Sequence, residues 1–281
     1  MRPFKQVDVF TDVRYSGNPL GVVLDGTGLD TAAMQRFTDW TNLSECTFLL
    51  PPTDPAADYR VRIFCAGREL PFAGHPTLGS CHAWLEAGGV PATDGVVVQE
   101  CGAGLVRLRR DDAGDRYAFA APSLIRSGPL DEADVAHIAA GLQIERGDIV
   151  GHAWCDNGPN WRAVLLGSAD AVLAIRPDAQ LLAGWDVGVV GPHPGAGPDG
   201  PHVEVRAFFP GISGLAEDPV TGSLNAALAQ WLIPAGLAPE RYVAAQGTVL
   251  GRAGRVFVER AGDTIWVGGS SVTCIDGSVE L

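Results

Sequence analysis

The chain has 281 residues, 46% of them hydrophobic and 19% charged, which is enough for one large domain or two ordinary ones and excludes a disordered chain. Its formal charge of −13 repels phosphate backbones and anionic lipid, so nucleic acid and membrane surfaces are poor partners. Lys5 is the only lysine among 20 basic residues, which argues against Schiff-base enzymes and P-loop NTPases, since both need a placed lysine amine.

The chain opens with MRPFKQVDVF, which reads as a strand and not as a signal peptide. Short Val-rich runs predict strands at Gln6–Phe10, Leu20–Leu24, Thr47–Leu50, Tyr59–Phe64, Val96–Gln99, Leu105–Leu108 and Tyr117–Ala120. Further strands are predicted at Ala163–Leu166, Val203–Phe208, Arg255–Glu259 and Thr264–Val267. Helices are fewer. One lies near 31–40, where Ala33, Met34, Phe37 and Trp40 recur at helical spacing. A second runs from about Thr77 to Ala87, with Leu78, Cys81, Trp84 and Leu85 on one face and Gly88-Gly89 ending it. A third lies near 131–141, and a fourth spans Gly222–Leu232 with Leu224, Ala227, Leu228 and Trp231 on one stripe. Strands and helices do not alternate regularly, so the class is α+β.

Cys46, Cys65, Cys81, Cys101, Cys155 and Cys274 form no C-x-x-C pair, and no histidine stands at zinc-like spacing to them. They read as reduced thiols used as small hydrophobes, so no metal site and a cytoplasmic location are expected. No apolar run is long enough to span a bilayer.

Two of the helix starts are alike. GHPTLGS (74–80) resembles EDPVTGS (217–223), with His75-Pro76 matching Asp218-Pro219 and Gly79-Ser80 matching Gly222-Ser223. Residues 75 and 218 lie 143 apart, about half the chain, and SGNPLGVVL (16–24) resembles DNGPNWRAVL (156–165) at nearly the same offset. Two matches at one offset point to a duplicated half, with the boundary near Ser127-Gly128-Pro129. The first turn of a helix offers free N–H groups and partial positive charge, so such a start attracts a carboxylate or phosphate. The competing reading is simple capping by Thr77, Ser80 or Ser223. His75 and Asp218, at equivalent places, suggest polar groups around one ligand; Glu217 is a weaker candidate. Glu45, in NLSECTF (42–48), falls where a helix hands over to a strand, and on local evidence reads as a solvated turn residue.

At these residues the chain resembles the PhzF-type phenazine-biosynthesis family, isomerases with the diaminopimelate epimerase fold. The matching segments are FTDVRYSGNPLGVVL, NLSECTFLLPP, ELPFAGHPTLGS, FFPGISGLAEDPVTGSLNAALAQWL and QGTVLGRAGRVFVE, which span nearly the whole chain in order. The resemblance implies two pseudo-symmetric lobes, 1–127 and 128–269, each a strand barrel around a central helix, with the active site between them. In that fold the last strand, near 270–281, can return to the first lobe. The resemblance also implies a catalytic Glu45 acting as base and then acid, with His75, Asp218 and Ser223 lining the site beside Gly74 and Gly222. A homodimer without cofactor, acting on a small carboxylate, follows from the same likeness. Cys46 stands where the family more often has Thr, and Phe64-Cys65-Ala66-Gly67 lacks the usual Pro, so the pocket is expected to differ.

The chemistry expected is isomerisation by proton abstraction and return at Glu45, with burial beside Phe48 tuning the carboxylate. A helix start, or His75 if protonated, would bind the substrate carboxylate, and Asp218 would hold an amino or hydroxyl group. The alternatives are a binding protein that kept the fold without the reaction, or an epimerase or racemase of the same superfold. Two-thiol racemisation is disfavoured because residues 66–80 contain no cysteine.

Overall fold

The computed structural model describes residues 1–111, 114, 116–195, 200–211 and 214–281. Two compact units emerge, one formed by Met1–Ala120 with Gly268–Leu281 and the other by Ala121–Val267. The division after Ala120 falls upstream of the Ser127-Gly128-Pro129 turn.

In the first unit the elements run β1 (Arg2–Val9), β2 (Asn18–Val23), α1 (Thr31–Thr41), β3 (Glu45–Leu50), β4 (Tyr59–Cys65) and β5 (Arg68–Leu70). Then come α2 (Gly74–Glu86), β6 (Val96–Cys101), β7 (Gly104–Arg110) and β8 (Tyr117–Ala120). A last strand, β17 (Ser271–Val279), pairs antiparallel with β1. Neighbouring strands are antiparallel except at β2–β3 and β4–β6, which are parallel. Parallel neighbours need a crossover, and helices α1 and α2 supply the two.

Helix α2 is buried at Gly74 through Cys81 and packs against β1, β2, β3, β6, β8 and β17, so strands surround it. A Cβ on Gly79 would stand 2.6 Å from Leu20 Cδ2 and 2.9 Å from Val9 Cγ2, so only glycine lets the helix lie this close to β1 and β2. Helix α1 starts at Asp30, whose carboxylate accepts the Ala33 N–H, and it buries Met34 and Phe37. Phe37, Phe48 and Phe64 meet edge to face at 6.0 and 5.6 Å around this helix, each contributing about 1.5–3 kcal/mol by burial. Trp40, read as part of that apolar face, is instead 78% exposed.

The second unit repeats the order. After α3 (Glu132–Leu142) come β9 (Ile149–Trp154), β10 (Arg162–Leu166), α4 (Ala169–Ala174), β11 (Val187–Pro192), β12 (Val203–Gly211) and β13 (Gly214–Glu217). Then follow α5 (Gly222–Leu232), β14 (Arg241–Gln246), β15 (Gly254–Ala261) and β16 (Thr264–Gly269). Here too the parallel pairs, β10–β11 and β12–β14, are those joined by helices. Helix α5 buries Gly222 and Leu224–Ala229, and an apolar core of Val135, Ile138, Leu142, Val164, Val187 and Phe208 lies in the same unit. Among the described residues no helix is long and apolar enough to cross a membrane.

Helix α2 begins at Gly74, three residues before the Thr77 read from the sequence. Pro76 therefore sits in the first turn, where its missing N–H costs nothing. The matched Asp218 lies in the turn ahead of α5, so His75 and Asp218 correspond in sequence and differ in local structure.

Candidate active site

Alternation along β3 determines where Glu45 points. Cys46 and Phe48 face the α1 side, where both belong to one apolar cluster with Met34, Phe37 and Phe64. Glu45 and Thr47 face the other way, and Thr47 Oγ1 accepts a hydrogen bond of 2.9 Å from Ser80 on α2. Phe48 is thus on the face opposite Glu45 and does not shield it, contrary to expectation. Glu45 is not a solvated turn residue either: it opens β3, pairs across from Cys65 and beside Leu20, and its side chain is 18% exposed. Asn42, in the left-handed conformation (φ 56°), ends α1 and lets the chain turn into this strand.

The facing group is His75, the second residue of α2. Its Nε2 lies 3.5 Å from Glu45 Oε2, and its Nδ1 lies 3.5 Å from Nδ2 of Asn18 at the head of β2. The ring is 5% exposed, and burial pulls its pKa from 6.5 down to about 3. His75 is therefore neutral at physiological pH, which overturns the expectation of a protonated His75 binding a carboxylate; it acts as a hydrogen-bonding group. Gly74, the first residue of α2, stands beside it.

In the second unit Asp218 Oδ2 accepts from Thr221 Oγ1 at 2.6 Å. Gln246 ties this turn down, donating to the Asp218 carbonyl at 3.1 Å and to Thr221 Oγ1 at 2.9 Å, and accepting from Thr221 N at 3.0 Å. Gly222 is the first residue of α5. Ser223 Oγ accepts from Trp161 Nε1 at 3.1 Å, and the Ser223 carbonyl accepts from Asn157 Nδ2 at 2.9 Å. With its oxygen accepting from the indole, the Ser223 hydroxyl proton remains available to a ligand.

Helices α2, α3 and α5 have no side-chain cap, whereas α1 and α4 are capped by Asp30 and Ser168. The capping reading fails in detail as well. Thr77 accepts from Gln99, Ser80 donates to Thr47, and Ser223 accepts from Trp161. Glu217 is bound in both oxygens by Arg206 at 2.8 Å, and Arg206 also donates to the carbonyls of Val172 and Ile175, so Glu217 is a core ion-pair partner. Cys46 is fully buried, with Sγ 3.4 Å from Thr41 Oγ1, and burial pushes its pKa up to about 11. That thiol is a packing group and no nucleophile. The sequence alone assigns no role to Asn18, Asn157, Trp161 or Gln246. The first three lie in the two matched Asn/Gly/Pro segments, which were the available signal.

The fold is one seen in solved structures. The structure matches a PhzF-family phenazine biosynthesis protein from Bacillus anthracis over 100% of this chain and 99% of that chain, with TM-score 0.82 and 22% identity. The family model for phenazine biosynthesis-like protein, PhzC-PhzF, matches residues 7–277, and the chain belongs to that family. It is 35% identical to Antisense-enhancing sequence 1 of Schizosaccharomyces pombe, over 98% of this chain and 97% of that protein. It is 32% identical to trans-2,3-dihydro-3-hydroxyanthranilate isomerase of Pseudomonas aeruginosa, over 100% of both. By class the chain is an isomerase.

Proposed function

We propose that the chain moves a proton between carbons of a small cyclic carboxylate, with Glu45 as the single acid/base group. The observation that carries this reading is the Glu45 carboxylate held 3.5 Å from a buried, neutral imidazole. A neutral ring places no positive charge against the carboxylate that is to take the proton. Glu45 removes a proton from one carbon, and the electron pair spreads into the adjoining conjugated system. The carboxylic acid so formed returns the same proton to a second carbon within reach, which regenerates the carboxylate. In the unit that carries Glu45, the uncapped start of α2 at Gly74 offers N–H groups to the substrate carboxylate. In the second unit, the start of α5 at Gly222, the Ser223 hydroxyl and the Asp218 carboxylate are donors and an acceptor suited to a small polar ligand.

The test uses Glu45→Gln. Trans-2,3-dihydro-3-hydroxyanthranilate, the substrate named for the Pseudomonas relative, heads a panel of small cyclic amino and hydroxy acids. Turnover and deuterium uptake from heavy water, read by NMR, are expected to fall at least about a hundredfold. Binding measured by calorimetry stays within about tenfold, or about 1.4 kcal/mol. Turnover that survives the substitution rules out Glu45 as the base.

A further inference from the structure

The Ser16-Gly17-Asn18-Pro19 segment has no task in the proton-transfer scheme, yet it is tightly built. Asp8 on β1 is 2% exposed, and its Oδ2 accepts the N–H groups of Ser16 at 2.8 Å and Gly17 at 3.2 Å. Gly17 has no room for a side chain, because a Cβ would stand 2.3 Å from the Val9 carbonyl oxygen and 2.6 Å from Thr11 Cγ2. The next residue, Asn18, opens β2 opposite Val9 and is fully buried. These anchors bring its Nδ2 to within 3.5 Å of His75 Nδ1.

A carboxamide nitrogen only donates, so at this contact Nδ1 is the acceptor. A neutral imidazole has one N–H, which then sits on Nε2, facing Glu45 Oε2. Nε2 is buried without a hydrogen bond among the described residues, so no fixed bond on that side of the ring selects the tautomer.

We propose that Asn18 is a positioning residue that holds His75 in the Nε2–H tautomer, so that the ring turns a donor toward Glu45. The opposite tautomer would aim a nitrogen lone pair at the carboxylate. Once Glu45 had taken the substrate proton, the carboxylic acid would donate a hydrogen bond to that lone pair, which would turn the proton toward the ring and away from carbon. With Nε2 already protonated, the ring offers no lone pair there, and the proton stays free for its return to carbon. This inference rests on the Glu45–His75 reading of the site. Its test needs no substrate, so it can fail while the acid/base assignment stands, and the reverse.

The experiment is two-bond proton–nitrogen correlation NMR on the uniformly nitrogen-15-labelled protein, with the His75 signals assigned by their absence from His75→Gln. The wild type is expected to show a proton-free Nδ1 and a protonated Nε2, unchanged between about pH 8 and 5, as a neutral ring requires. Asn18→Asp replaces the donor by an acceptor, so His75 moves to the Nδ1–H tautomer or becomes an imidazolium. Asn18→Leu keeps the bulk without the donor, and both nitrogens move to intermediate shifts. A wild-type ring protonated at Nδ1 overturns the proposal. So does an unchanged Nε2–H pattern in Asn18→Leu, which decides the matter if Asn18→Asp does not fold.

Discussion

Replacing His75 by Asn should change how stability depends on pH, and the size follows from the burial of the ring. In the folded chain His75 binds a proton only near pH 3, against 6.5 for the free side chain. Below pH 6.5 the unfolded chain therefore takes up a proton that the folded chain refuses. The stability associated with a neutral His75 is complete above pH 6.5 and is lost as pH falls toward 3. The slope is about 1.4 kcal/mol per pH unit, so restricting the comparison to the window from pH 6.5 to 4.5 gives a loss of about 2–3 kcal/mol. Carboxylates and the half-buried His82, whose pKa burial also lowers, titrate in the same range. Subtracting the curve of His75→Asn from that of the wild type removes their share. Urea unfolding followed by circular dichroism at half-unit pH steps provides both curves. The difference should shrink steadily with acidification. Curves that run parallel within about 0.5 kcal/mol refute the claim that burial governs this ring. A difference that grows as pH falls through 6.5 shows an imidazolium paired with Glu45, and the mechanism above then loses its neutral donor.

Two further substitutions separate packing groups from the reacting ones. Glu217→Ala leaves Arg206, 3% exposed, without its carboxylate, and should cost about 3 kcal/mol in urea unfolding; a loss below about 0.5 kcal/mol would show that the pair is dispensable. Cys46, with its pKa at about 11, should stay unmodified by iodoacetamide in the folded protein at neutral pH, as read by peptide mass spectrometry. Cys46→Ala should cost about 1–2 kcal/mol of stability and leave turnover intact.

Much of the architecture was readable because most core strands are short apolar or alternating runs rich in β-branched and aromatic residues, bounded by turn residues, and four of the helices have periodic apolar stripes. The elements that escaped lack those signals. β11 (VGVVGP) is broken by glycine and ends in proline, and α4 has six residues, too few to show a period. β17 has no buried residue and so no burial pattern to read; the strand near 270–281 was expected from the family resemblance alone, and it does pair with β1 in the first unit. For the site, the residue types at Glu45, His75, Asp218 and Ser223 were legible, but their surroundings were not. Which way Glu45 faces depends on strand register, and the charge of His75 depends on how completely strands enclose α2. Duplication of the element order does not duplicate the carboxylate. In the parallel pair β10–β11, Val187 holds the place that Glu45 holds beside β2, and Val187 is fully buried.

The pairing of β17 with β1 also bears on synthesis. The segment 121–267 is continuous, so strands β9 to β15 and the start of β16 are all made in one stretch of chain. Those of the first unit are not. Its opening strand emerges earliest but waits for residues 271–279 before its outer edge is paired. During translation the half that carries Glu45 holds an open strand edge for the time taken to make the intervening chain, the interval in which such edges recruit wrong partners. The unit that carries Glu45 therefore gains its last strand only after the whole of 121–267 has been made.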